Sequence, residues 1–250
     1  MSTPSIEPDP ILGAVVSHHP SDRGRPLLIA ALAAGSAAVA LNFTLAELPF
    51  WWAPALTIIV MALLVLGLGW WVLHLWNREV ILYERGFSYR EGSRVIPFLY
   101  AEVAAVRLRA ERRAYFGGRL PRDEYRVTIR TLRDEQIVIT NAYRRVAELA
   151  ARLSERVSAA LAPGLALRLE RGERIGFAET LALDSSGLYM GERMLRWAEF
   201  GGSRIGERAL ALLDANGAVW HRLPLAEIDN ITLLIDLLRT MKAEAAAHDV

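Results

Sequence analysis

Cysteine is absent from the 250 residues, and Lys242 is the only lysine among 29 basic residues. Without cysteine there are no disulfides, no iron–sulfur clusters and no thiolate zinc sites, and the chain fits a reducing compartment. The histidines, His18, His19, His74, His221 and His248, supply no pair at helical metal-binding spacing. There is no G-x-S-x-G, no phosphate loop, no His-Glu zinc motif and no carboxylate cluster. Nothing here points to an enzyme, and no cofactor or metal is expected. The scarcity of lysine reads as composition rather than chemistry.

Charge is missing from one long stretch. Between Arg25 and Arg78 the only ionised side chain is Glu47, which lies in a short loop, Ala46 to Trp52, between two uncharged runs. Those runs, Pro26 to Leu45 and Ala53 to Trp76, each reach the ~20 residues that a helix needs to cross a bilayer core. A transmembrane hairpin is therefore expected over 26–76, preceded by an N-terminal tail of residues 1–25. A signal peptide is the weaker reading, because the leader carries Glu7, Asp9 and Asp22 and a second apolar run follows at once. A buried hairpin of a soluble protein would need a large surface to cover two helices that are apolar all round. Phe50, Trp51 and Trp52 at one end of the second run, and Trp70, Trp71 and Trp76 towards the other, suit the two headgroup layers. Arg23, Arg25 and Arg78 flank the hairpin while its loop has no Lys or Arg, so both termini are expected in the cytoplasm. Ala31, Ala34, Gly35 and Ala38, with Gly67 and Gly69, are expected where the two helices approach closely.

From Arg78 onward the apolar period becomes two. Val80 and Leu82, Phe87 to Tyr89, Ser93 to Phe98, Tyr125 to Thr131 and Gln136 to Thr140 read as strands. Val146, Leu149, Ala150, Leu153 and Val157 then follow helical spacing, with Asn141 as N-cap and Pro163-Gly164 as the stop. The order recurs. Leu165, Leu167 and Leu169 alternate, strands flank Gly187 and the Asn216-Gly217 turn, and a closing helix starts at an Asp229 or Asn230 cap. Leu82-x-x-x-Gly86 matches Leu183-x-x-x-Gly187, and Tyr100-Ala101-Glu102-Val103 matches Trp197-Ala198-Glu199-Phe200. Glu102 and Glu199 read as turn carboxylates bonding backbone amides, and Tyr100 and Trp197 as core aromatics.

Strand–Gly–strand openings followed by an aromatic-x-acid-apolar segment resemble the bacterial pleckstrin-homology-like (PH-like) domains. The resemblance implies an α+β fold: two tandem PH-like domains, residues 78–162 and 165–250, joined to the membrane α-helical hairpin. Each would be a bent antiparallel β-sheet or barrel closed by a C-terminal helix. It also implies a multi-pass protein of the bacterial inner membrane.

One segment stands out by charge. Arg107, Arg109, Arg112, Arg113, Arg119 and Arg122, with Glu111 the only acid among them, are expected on a loop that faces a partner or anionic lipid. Nucleic acid is not expected, since the membrane holds the domain back and aromatics are few in this segment. The expected function is that of a membrane-anchored adaptor recognising a protein partner or a second copy of itself. An anionic-lipid sensor using the six arginines is the alternative. A small membrane enzyme or transport component ranks third, because two helices without a paired intramembrane charge do not make a transporter.

Overall fold

Runs without charge become long helices and alternating runs become strands, and the chain uses both in two compact units. The computed structural model describes residues 8–47, 50, 52–115 and 120–248. One unit comprises residues 1–97 with 142–144, and the other 98–141 with 145–250.

In the first unit, β1 (Val15–Pro20), α1 (Gly24–Glu47), α2 (Ala53–Trp76), β2 (Arg78–Tyr83), β3 (Gly86–Glu91) and β4 (Arg94–Leu99) follow one another. The strands form one sheet in the order β1-β2-β3-β4. β1 runs antiparallel to β2, His18 opposite Ile81 and His19 opposite Val80. The tail expected before the hairpin thus supplies an edge strand. The sequence hides it because its middle is polar: His19 is buried and bonded to Ser17 Oγ and to the Arg144 carbonyl. β2 is interior, so Ile81 and Tyr83 are buried along with Val80 and Leu82 rather than half-exposed.

The two helices leave the sheet and return to it at one place. The Ser21 N–H donates to the Arg78 carbonyl at 2.9 Å, and Ser21 Oγ to the Trp76 carbonyl at 3.4 Å. Segments Pro26–Thr44 and Ala55–His74 have mean hydropathies of 1.9 and 2.5 and are only 11% and 0% buried. They are long and apolar enough to cross a membrane and are not core helices of the described unit. α1 and α2 touch each other, but a Cβ on Gly35, Gly67 or Gly69 would meet nothing within 4 Å. These glycines are therefore not at the close helix contact that their spacing led us to expect.

In the second unit, β5 (Val103–Tyr115), β6 (Leu120–Thr131) and β7 (Gln136–Thr140) form an antiparallel sheet, followed by α3 (Val146–Glu170). Then come β8 (Ile175–Gly176), β9 (Leu181–Leu183), β10 (Gly187–Met190) and β11 (Arg193–Arg196), which form another antiparallel sheet. A third contains β12 (Phe200–Ile205), β13 (Ala209–Asp214) and β14 (Val219–Pro224), and α4 (Ile231–His248) ends the chain. The same order of elements thus occurs twice: four paired strands, a 3-10 turn, three paired strands and a helix. The helical hairpin is an insertion between the first two strands of the first copy.

The 3-10 turns, Tyr100–Glu102 and Trp197–Glu199, sit where one sheet ends and the next begins. Each drives an aromatic ring into the core, and the Trp197 indole N–H donates to the Asp184 carbonyl at 2.9 Å. Glu102 accepts the Leu99 N–H at 3.0 Å, the backbone role expected of it. A third such turn, Leu225–Glu227, was not foreseen; it repeats the Ala-Glu pair and is followed by the buried Ile228. Because strand geometry stops at these turns, the described residues form separate sheets and no closed barrel.

Three further expectations give way. Residues 107–115 and 120–122 are strand rather than loop: β5 and β6 pair without a shift from Ala105↔Arg130 to Tyr115↔Leu120. Asn141 does not cap α3; its Oδ1 accepts the Tyr125 N–H at 2.7 Å, and the helix follows Arg145, whose φ is 54°. Nor does α3 stop at Pro163-Gly164. The segment read as a strand, Leu165 to Leu169, is helical, so the expected boundary between 162 and 165 falls inside α3. Leu161, Leu165 and Leu169 recur every four residues and pack on the core of Leu181, Leu183, Leu210 and Leu234. Burying each leucine is worth up to ~2 kcal/mol, enough together to offset the ~3 kcal/mol that an interior proline costs. The true stop is Gly172, with φ 74°, where the Glu173 N–H reaches the Arg168 carbonyl and the Gly172 N–H that of Leu169. Pro163→Ala should restore the missing helical bond and raise stability by about 1–3 kcal/mol, read as a higher unfolding midpoint of the full chain. A lower midpoint would mean that the proline is needed.

Candidate functional site

β5 is the outer strand of its sheet, with β6 on one side only. An exposed strand edge presents unpaired N–H and C=O groups and is usually covered or made repellent. Here the cover comes from far along the chain. Asn230 Oδ1 accepts the Val106 N–H at 2.8 Å, its amide nitrogen donates to the Ala104 carbonyl at 3.1 Å, and its own N–H donates to the Val106 carbonyl at 2.8 Å. Asn230 stands just before α4 with φ 50°, a left-handed conformation that asparagine tolerates better than most residues. It does not cap the helix with its side chain; it imitates a neighbouring strand. Asp229 adds a 2.9 Å ion pair to Arg107 and a 3.5 Å contact to Arg130.

That cover stops at Arg107. Bonding groups on an antiparallel strand alternate sides, and those of Val106 point outward to Asn230. The N–H and C=O of Leu108 and Ala110 therefore also point outward, where no strand flanks them among the described residues. Both line a cleft of about 820 Å³ whose other wall includes Leu225, Ile231 and Ile235. Arg109 at its edge is paired with Glu111, while Glu207, Arg208 and Glu227 bring both signs of charge to the rim.

Of the six arginines expected to form a site, Arg107 and Arg109 line this cleft, and each is held by an acid. The backbone of Arg112 pairs with Asp123 and that of Arg113 with Arg122 in the β5–β6 ladder. Arg119 lies outside the described residues. The cleft combines outward backbone groups, an apolar wall and a rim of both charge signs. Among the described residues no three His, Asp or Glu side chains gather to hold a metal. Burial pushes the Tyr100 hydroxyl up to about 12, despite the nearby Arg156 guanidinium, so it is no base at neutral pH. Burial likewise raises Tyr143, with Tyr89 beside it adding to the effect.

A family model described as "Family of unknown function (DUF6585)" matches residues 1–247. The chain belongs to the DUF6585 family. No curated protein and no solved structure matches it. The match extends over both the helical hairpin and the elements that build the cleft.

The Asn230 plug is the feature of this DUF6585 chain most open to a direct check. Asn230→Ala would leave the Val106 N–H and the Ala104 carbonyl without partners. A loss of about 1–3 kcal/mol is expected in equilibrium unfolding. An unchanged midpoint would show that water replaces the amide at no cost.

Proposed function

We propose that this chain is a membrane-anchored binding protein that recognises a protein partner by adding an extended segment of that partner to the open edge of β5. The observation that carries the reading is the unflanked backbone of Leu108 and Ala110, set in a cleft with an apolar wall. Main-chain bonds would supply affinity, and Leu225, Ile231 and Ile235 would select apolar side chains at alternate positions of the partner.

The anchor is the α1–α2 hairpin, read as two membrane spans with both termini on the cytoplasmic side of a bacterial inner membrane. Three features support that reading. The helices are apolar and exposed, their ends meet at the Ser21–Arg78 bond, and Arg23 lies 4.5 Å over the Trp76 ring at that same end. The order of four strands, three strands and a helix, met twice, supports the likeness to tandem PH-like domains. Sensing of anionic lipid by the arginine segment is the weaker reading, because Arg107 and Arg109 are already neutralised by Asp229 and Glu111.

The cysteine-free sequence makes a single introduced cysteine a clean reporter of topology. In intact cells, cysteine in place of Glu47 should react with a membrane-impermeant maleimide. Cysteine in place of Ala246 should react only after permeabilisation; labelling of both positions in intact cells would overturn the orientation. For the cleft, a photo-crosslinker at Arg109 should capture a protein in native membranes, whereas one at the exposed Arg171 should not. Ala110→Pro removes an outward N–H and leaves the β6 side of the ladder intact. It should abolish the adduct without lowering the amount of protein. Equal crosslinking at Arg171, or an adduct that survives Ala110→Pro, would sink the edge-strand reading.

A further inference from the structure

A second cleft, of about 510 Å³, lies between β12 and α4 and differs in charge from the first. Arg204, Arg239 and Lys242 line it, and no acid does. Several arginines elsewhere are paired with acids. Arg78, Arg107, Arg152 and Arg168, for example, each have a carboxylate oxygen within 2.9 Å. Arg204 makes no ion pair among the described residues, and Arg239 has only Asp236 at 3.8 Å, with both side chains well exposed. Three like charges around one cleft repel each other, and the arrangement favours an anion between them.

The backbone here is built to fit. A Cβ on Gly201 would lie 1.8 Å from the Asp214 carbonyl oxygen, and Gly202 has φ 134°, so the bulge in β12 requires both glycines. The bulge turns the Gly201 carbonyl towards α4, where the Lys242 ammonium donates to it. An ammonium has three N–H bonds, so the carbonyl fixes its position and leaves two free. A planar guanidinium could not replace this compact charge on the same carbonyl without a different approach. The one lysine of the chain is thus tied by its ammonium to the Gly201 carbonyl. The Ser203 hydroxyl lies on the same cleft, and Ile235 and Leu238 line its apolar side.

We propose that Arg204, Arg239, Lys242 and Ser203 form a binding site for a phosphate group, carried either by a soluble phosphate ester or by a lipid headgroup. A phosphate monoester offers up to two negative charges and three acceptor oxygens, which these cations and the hydroxyl can share. A single carboxylate would leave charge uncompensated.

Lys242 is also the reporter. Reductive methylation of the full chain with carbon-13 formaldehyde labels only this side chain and the terminal amine. In nanodiscs of phosphatidylcholine, inorganic phosphate or glycerol phosphate should move the Lys242 signal saturably, and sodium chloride at equal ionic strength should not. Nanodiscs containing phosphatidic acid form the second arm. Saturation by the soluble ligands assigns the site to a soluble ester, and saturation by phosphatidic acid alone assigns it to a headgroup. The pair Arg204→Ala and Arg239→Ala should weaken binding at least about tenfold, whereas Arg171→Ala should leave it unchanged. An equal response to chloride, no response in either arm, or unchanged affinity in the double variant would overturn the proposal.

Discussion

The ladder between β1 and β2 is the constraint on which the apolar helical hairpin of this protein depends. An antiparallel pair brings the end of one strand beside the start of the next, and here the chain between those two points is the apolar hairpin. The bonds from Ser21 to Arg78 and Trp76 tie the first residue after β1 to the last turn of α2. The start of α1 and the end of α2 are thereby held beside each other at the sheet. Helices satisfy their own backbone groups, so the sheet need contribute only this bonded base. The segment 142–144 adds to it, with the Asp22 N–H on the Ala142 carbonyl and the Arg144 N–H on that of Pro20.

A comparable rule governs the other unit, where an edge strand must be paired, covered or left for use. β5 is covered over Ala104 to Arg107 by two residues, Asp229 and Asn230, and among the described residues no strand flanks Leu108 and Ala110. Partial cover matters for binding. The plugged part fixes the strand and its register, so a partner adding to the unflanked part would not have to order it first. Full exposure would instead invite indiscriminate pairing between strand edges.

The parts of the fold that were readable in the sequence are those set by local period. The hairpin showed as missing charge, the strands as alternation, and the 3-10 turns as Tyr100 and Trp197 before Ala-Glu. What stayed hidden depends on partners distant in sequence. β1 looks polar because its buried His19 is satisfied by the Arg144 carbonyl, 125 residues away. Asn230 looks like an N-cap because the strand it imitates a neighbour for lies 124 residues earlier. Pro163-Gly164 looks like a stop because the core that holds α3 together, Leu181 to Leu234, comes later. Within Leu165, Leu167 and Leu169 both periods coexist, and only burial of the first and last decides for the helix. The arginine segment was legible as charge but not as structure, since nothing in it announces that Asp229 and Glu111 neutralise two of its members.

Pairing, rather than number, therefore decides where charge can act. Near β5 the arginines are numerous and Arg107 and Arg109 are matched by acids, so the cleft there offers backbone and apolar surface, which suits a polypeptide. Between β12 and α4 the cations are few, but among the described residues no ion pair holds Arg204 or Lys242, and the Gly201 carbonyl holds the ammonium without cancelling its charge. Neutralised arginines add shape and register at little electrostatic gain, whereas cations without an acid partner retain their field for a ligand. The two clefts of this unit thus differ in kind, one offering backbone and apolar surface and the other positive charge.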